Sequence, residues 1–168
     1  KNVYYRETIL DGADPKTFFV YPEYYQQYAK DSQRVFLRDR IIEGADPKSF
    51  KPIDEGWSKD DDQVFYGGEV VEGADPKSFQ VVDGWGKDAK HIFWGKKIFP
   101  FGDNASFRLM DARENAIFWK DKNGAFCTTG DFSENTQLSV VDAKTFSKME
   151  DSYFLSFDAH FAYLTGMS

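Results

Sequence analysis

Cysteine is nearly absent. The single copy, Cys127, excludes an internal disulfide, and a lone thiol in an aromatic strand reads as a small buried hydrophobe. Histidine is almost as scarce. His91 and His160 are the only two, neither has a second His at metal-ligand spacing, and Cys127 has no CxxC partner, so no metal or other cofactor is expected. Positive charge is in deficit: 21 Lys and Arg stand against 28 Asp and Glu, a net charge of −7. Such a surface repels phosphate backbones, which argues against nucleic acid and suits a basic protein partner or plain solubility. No apolar run approaches the roughly 18 residues of a membrane helix, so no transmembrane segment is expected. GxSxG, GxGxxG and P-loop strings are missing too. The acidic run Asp60-Asp61-Asp62 lacks the Gly and closing Glu of a calcium loop and reads as a solvated turn.

Aromatic residues are what the chain has in excess. They make up 18% of its 168 residues, with 17 Phe, 9 Tyr and 4 Trp, a bias that favours strands. Their placement is periodic. GADPK(S/T)F ends at Phe18, Phe50 and Phe79, and weaker copies end at Phe107 and Phe146. An Asp stands four residues before each Phe, namely Asp14, Asp46, Asp75, Asp103 and Asp142, and Ser or Thr immediately precedes it. The Phe spacings are 32, 29, 28 and 39 residues, a period near 30. Fifteen residues before the first four Phe lies a β-branched residue that opens a triplet: Val3-Tyr4-Tyr5, Val35-Phe36-Leu37, Val64-Phe65-Tyr66 and Ile92-Phe93-Trp94. A fifth triplet, Ile117-Phe118-Trp119, stands 29 residues before Phe146, which implies an insertion of about 14 residues. An aromatic-x-Lys-Asp string precedes three triplets, at Tyr28–Asp31, Trp57–Asp60 and Trp85–Asp88, and decays to Met110–Arg113 in the next unit.

Each column has a physical reading. The triplets fit central pleated strands, the apolar pairs Ile9-Leu10, Ile41-Ile42, Val70-Val71 and Ile98-Phe99 fit returning strands, and the segment leading into Lys-Asp fits a third. Gly67-Gly68 suits a two-residue hairpin. Arg6-Glu7 and Arg38-Asp39 suit one poorly and imply wider turns. In the closing string, Asp caps one helical turn, Pro occupies its first position, and Phe points back to the core, contributing roughly 1.5–3 kcal/mol when buried. In the fourth copy Phe101 replaces the Gly and Asn104 the Pro, while Asp103 and Phe107 persist. The fold expected is all-β: tandem three-stranded antiparallel meanders of about 30 residues with short helical turns at DPK(S/T)F. They form one domain of units near 1–27, 28–56, 57–84 and 85–109 and a divergent 110–168. Asn123-Gly124 signals a further hairpin, Thr128–Ser139 a longer polar loop, and Tyr153–Tyr163 closing strands.

Lys1-Asn2-Val3-Tyr4-Tyr5, Tyr28-Ala29-Lys30-Asp31 ahead of Val35-Phe36-Leu37, and the three GADPK(S/T)F strings resemble the bacterial DKNYY family, closely over residues 1–107 and loosely beyond. The resemblance implies a bacterial protein, often exported or attached to the envelope as a lipoprotein, with no established activity and no catalytic residues to carry over. The start at Lys1 without Met fits a chain whose export signal has been removed.

Catalytic groups are usually singular, and carboxylates repeated five times at equivalent positions read as structural. The Lys-Asp pairs read likewise, as turn and surface charge. The expected function is a non-enzymatic repeat protein presenting a binding surface in the bacterial periplasm or cell envelope. An acidic immunity-type protein that neutralises a toxin is the alternative within binding proteins. An enzyme with a site near 120–139, built from Asp121, Asp131 and His160, is the alternative outside them. Candidate partner-surface residues are Trp57, Trp85, Asp121, Asn123 and Asp131, although the in-register recurrence of the Trp residues favours packing.

Overall fold

A computed structural model describes residues 2–22, 25, 27–54, 56–113 and 116–129, with strands at 135–137, 147–148, 155–157 and 162–164. The described chain is built of small antiparallel sheets that follow one another along the sequence. It divides into two compact units, Lys1–Ile98 and Phe99–Ser168.

The first unit opens with a hairpin of Tyr4–Tyr5 and Thr8–Ile9. Its next sheet runs Phe19–Val20, Tyr28–Lys30, Val35–Leu37 and Arg40–Ile41. The third runs Lys51–Asp54, Trp57–Lys59, Val64–Tyr66 and Glu69–Val70. The last comprises Gln80–Val82, Trp85–Lys87, Ile92–Trp94 and Lys97–Phe99. The meander is therefore the expected one with one strand added in front, formed by the residues just after the closing Phe. That strand pairs with the aromatic-x-Lys strand, as in Gln80↔Lys87 and Val82↔Trp85. The front strand Lys51-Pro52-Ile53-Asp54 carries a Pro tolerated only at a sheet edge, which hides it from propensity.

The turns after the triplets are all of two residues, as the pairs Tyr5↔Thr8, Leu37↔Arg40 and Tyr66↔Glu69 show. The wider turns expected at Arg6-Glu7 and Arg38-Asp39 do not form. Instead Arg6 and Arg38 adopt the left-handed φ of 54° and 58° that Gly67 and Gly95 adopt at 61° and 57°. The Arg38 amide donates to the Gln27 carbonyl at 2.7 Å, and the Gly67 amide donates to Gly56 at the same distance. At Arg38 and at Gly67 the residue before the neighbouring sheet strand thus holds the same tight turn, although one turn has Arg and the other Gly.

The core is made between successive meanders. Each closing Phe packs on the central Phe of the next triplet: Phe18 on Phe36 at 5.7 Å, Phe50 on Phe65 at 6.1 Å, Phe79 on Phe93 at 6.0 Å. Tyr28, Val35, Ile42 and Phe50 gather around Phe65, and Trp57, Val64, Val71 and Phe79 around Phe93. Buried polar tips bridge the same steps. Trp57 Nε1 donates to the Gly84 carbonyl at 3.0 Å, and the Tyr21 and Tyr25 hydroxyls donate to Phe50 and Ile53 carbonyls at 2.8 Å each.

The second unit corrects the register read from the sequence. Its first sheet runs Arg108–Arg113, Ala116–Asp121, Gly124–Thr129 and Asn135–Gln137. Ile117-Phe118-Trp119 is thus not a fifth triplet; it lies on the strand that ends in Lys120-Asp121, the counterpart of Trp85–Lys87. The triplet position falls to Ala125-Phe126-Cys127, with Trp119↔Phe126 and Lys120↔Ala125 in register. Met110–Arg113 is not the decayed Lys-Asp string but part of a lengthened front strand. Among the described residues the arms are longer than those of the first unit, with six residues in each of Arg108–Arg113, Ala116–Asp121 and Gly124–Thr129. Asn135–Gln137 also falls as a strand inside the polar stretch expected to loop. The expected closing strands are present: Ser147–Lys148, Leu155–Phe157 and Ala162–Leu164 form a three-stranded sheet.

Candidate functional site

The most repeated polar arrangement joins the closing string to the Lys-Asp turn that follows it. In the DPK(S/T)F turn the Asp caps as read from sequence. Asp46 Oδ1 accepts the Lys48 amide at 3.1 Å, and its Oδ2 accepts the Ser49 hydroxyl at 2.8 Å. Asp14 and Asp75 repeat this with Lys16 and Thr17, and with Lys77 and Ser78. The turn closes with a bond from the Phe50 amide to the Asp46 carbonyl at 2.9 Å, and from Phe107 to Asp103 at the same length.

The second Asp completes the arrangement. Asp60 Oδ2 accepts the Asp46 amide at 2.9 Å, while its Oδ1 accepts the amides of Asp62 and Gln63 at 2.9 and 2.7 Å. Asp31 does the same for Asp14, Gln33 and Arg34, and Asp88 for Asp75, Lys90 and His91. In the second unit Asp121 takes the Asp103 amide at 2.6 Å and the Asn123 amide at 2.7 Å. The Ser or Thr hydroxyl returns the link by accepting an amide from the opposite turn: Ser32 to Thr17, Asp61 to Ser49, Ala89 to Ser78 and Lys122 to Ser106. Four equivalent clasps result among the described residues.

Reading the Lys-Asp pairs as surface charge is thereby corrected. Asp31, Asp60, Asp88 and Asp121 are buried, with 3–6% of their surface exposed. A buried carboxylate needs donors, and the two turns supply them as backbone amides. The lysines are committed as well: Lys30 Nζ donates to the Pro47 carbonyl at 2.7 Å, and Lys59 Nζ to Pro76 at 2.6 Å, each reaching the closing string of its own meander. The sequence carried the signal, since each of these Asp residues stands four before the triplet's first residue; the physical role was missed because Asp in a turn is ordinarily solvated.

Electrostatics agree with a fastening role. Burial works to raise the Asp31 and Asp88 pKa values, but the backbone amides of Asp14, Gln33 and Arg34, and of Asp75, Lys90 and His91, outweigh it and hold both below the usual range. Asp103 is pulled down to about 2 by Lys122, whose ammonium lies 2.8 Å from Oδ2, and by the Ser106 hydroxyl. Carboxylates stabilised in this way are weak bases at neutral pH.

Of the residues put forward as a partner surface, Trp57 and Trp85 are buried, at 0% and 3% exposure, and belong to the packing between meanders. The Trp57 ring packs at a tilt on Tyr66 and Trp85 on Trp94, with ring centroids 4.7 Å apart in each pair. Asp121 is a clasp residue and Asn123 lies exposed in its turn. Asp131, Asp142, Phe146 and His160 lie outside the described residues. Among the described residues no group of three His, Cys, Asp or Glu side chains is placed to hold a metal, and no helix is long and apolar enough to cross a membrane.

What does face solvent also recurs. Ile9, Ile41 and Ile98 occupy one position of three of the four return strands and are 44%, 38% and 43% exposed, while Val70, at the same place in the strand between Ile41 and Ile98, is half-buried. Tyr66 and Trp94 end successive triplets and are exposed to a similar degree.

No curated protein and no solved structure matches the chain. One family model does, over residues 1–129 and again over 57–153. The overlap is what a model spanning several copies of one repeated meander produces when it slides along the array. Those matches cover most of the chain, and with the clasped meanders they fall on, they make this protein a member of the DKNYY family.

Proposed function

We propose that the chain is a non-enzymatic tandem-repeat protein that presents a surface to a protein partner in the bacterial cell envelope. The observation that carries this is the set Ile9, Ile41 and Ile98, at three of the four equivalent return-strand positions, with Tyr66 and Trp94 at two triplet ends: large apolar side chains left exposed in a molecule that buries their neighbours. The recurring carboxylates do not compete for the role, because each clasp Asp is committed to backbone amides. A net charge of −7 favours a basic partner. The envelope placement rests on family resemblance.

The test is affinity capture and cross-linking from the envelope fraction of the source bacterium. Wild-type chain is expected to retain a specific protein that an Ile41→Asp, Ile98→Asp variant loses. Both substitutions are at exposed positions and leave the fold intact. Retention unchanged by the double substitution overturns the assignment of this surface. Recovery of the native protein in the cytosolic fraction overturns the compartment.

A further inference from the structure

Two hairpin tips carry side chains that their own fold disfavours. Arg6 and Arg38 hold left-handed backbone at the turn position where the following two sheets place Gly67 and Gly95. A non-Gly residue is disfavoured there because its Cβ crowds the following carbonyl oxygen. Turn formation alone gives no reason for arginine twice in succession.

Nor do the guanidiniums repay the strain locally. Neither makes an ion pair among the described residues. Arg38 Nη2 reaches only the Gln27 side-chain oxygen at 3.4 Å, a marginal hydrogen bond, and the Arg6 guanidinium lies 5.6 Å from the Tyr5 ring centroid. Arg34 and Arg108, by contrast, donate to backbone carbonyls at 2.6 and 2.7 Å. Arg6 and Arg38 instead line one open groove of about 750 Å³ together with Tyr5, Thr8, Gln27 and Asp39. In a chain of net charge −7, this groove brings two cations to one place. Among the described lining residues Asp39 is the one carboxylate.

We infer that this groove binds an organic phosphate, with Arg6 and Arg38 taking the phosphate and Tyr5 packing against the attached group. Two guanidiniums match a phosphate dianion in charge and in their forked donor geometry. Thr8 and Gln27 add a hydroxyl and an amide. The groove exceeds what inorganic phosphate fills and lies in the range of small-ligand sites. The inference is independent of the partner surface proposed above, which uses other residues.

Glycine variants make the test clean, because Arg6→Gly and Arg38→Gly remove the cation while suiting the turn. Phenyl phosphate at millimolar concentration is expected to shift the amide resonances of residues 5–8, 27 and 37–39, with affinity falling about tenfold in each variant and also falling with added salt. Phosphatidic acid vesicles, set against phosphatidylcholine vesicles, report whether the phosphate can be borne on a lipid. Binding to either phosphate probe that disappears in the double variant supports the site. Absence of binding to both, or binding undiminished in the double variant, overturns it. A response to phenol equal to that of phenyl phosphate overturns it as well.

Discussion

Asp60 Oδ2 accepts the backbone N–H of Asp46 at 2.9 Å, joining two turns that lie fourteen residues apart in sequence. The bond closes the path through the closing string, the front strand and the aromatic-x-Lys strand into one loop. Asp31 with Asp14, Asp88 with Asp75 and Asp121 with Asp103 repeat it. The repeated string is thus half of a fastener, and the Lys-Asp turn is the other half.

Asp60→Asn tests the fastener directly. The amide group places donors where the native oxygens face three N–H groups, so at least one donor loses its partner in a buried site. Destabilisation of about 3 kcal/mol is expected, from the loss of a charged acceptor and the burial of an unpaired amide. Asp62→Asn, on an exposed residue of the same acidic run, should change stability by less than about 0.5 kcal/mol. Urea unfolding followed by Trp fluorescence measures both. Equal effects would show that the buried Asp is no more structural than its neighbour.

Lys59→Met removes the Nζ donor from the Pro76 carbonyl while keeping most of the apolar stem. The side chain is partly buried, and a loss of about 1 kcal/mol is expected. Lys48→Met, at an exposed position in the closing turn, serves as the comparison and should be close to neutral. A Lys59 variant as stable as Lys48→Met would mean the bond contributes nothing measurable.

Acid should loosen the clasps in a defined window. Asp31 and Asp88 have folded-state pKa values below the usual value, so the folded chain binds fewer protons there than the unfolded one. Their contribution is complete above the unfolded pKa of about 3.9 and is lost as pH falls through the depressed values. Asp103, at about 2, marks the lower end of that range. Thermal midpoints should therefore be nearly flat from about pH 7 to 5 and fall steeply below about pH 4. A fall that is already complete by pH 5 would assign acid lability to other groups.

Much of this architecture was legible in residue order, and the failures have physical causes. The all-β meander and the burial of Phe50, Phe79 and Phe107 followed from β-branched and aromatic columns. The front strand Lys51–Asp54 escaped because its Pro and charged ends leave it little strand propensity of its own, and it forms by pairing with Trp57–Lys59. The register of the second unit was misread because Ile117-Phe118-Trp119 imitates a triplet, whereas Ala125-Phe126-Cys127 opens on Ala. The clasp aspartates escaped because burial of a carboxylate depends on amides donated from a turn many residues away. The arginine turns escaped because propensity disfavours the left-handed backbone that Arg6 and Arg38 adopt.

The middle position of aromatic-x-Lys shows how closely the meanders pack, and it yields the last prediction. That position is Ala29, Ser58 and Gly86 in the three four-stranded sheets of the first unit, small in each, whereas Trp119 takes it in the second unit. A Cβ built on Gly86 would lie 2.6 Å from both Phe79 Cζ and Trp57 Cη2, well inside contact distance. Both rings are themselves buried and pack at a tilt with centroids 5.0 Å apart, so neither can withdraw without opening the core. Gly86→Ala is therefore expected to destabilise by about 1–3 kcal/mol through overpacking, despite the gain in backbone order that Ala normally brings. Adding Phe79→Leu should recover part of that loss, since it trims the ring that the new methyl meets, whereas Phe79→Leu alone should be destabilising. Thermal melts of the four proteins give the coupling between the two sites. Strictly additive effects would mean that the methyl group is accommodated by backbone movement and that Phe79 does not set the size limit at this position.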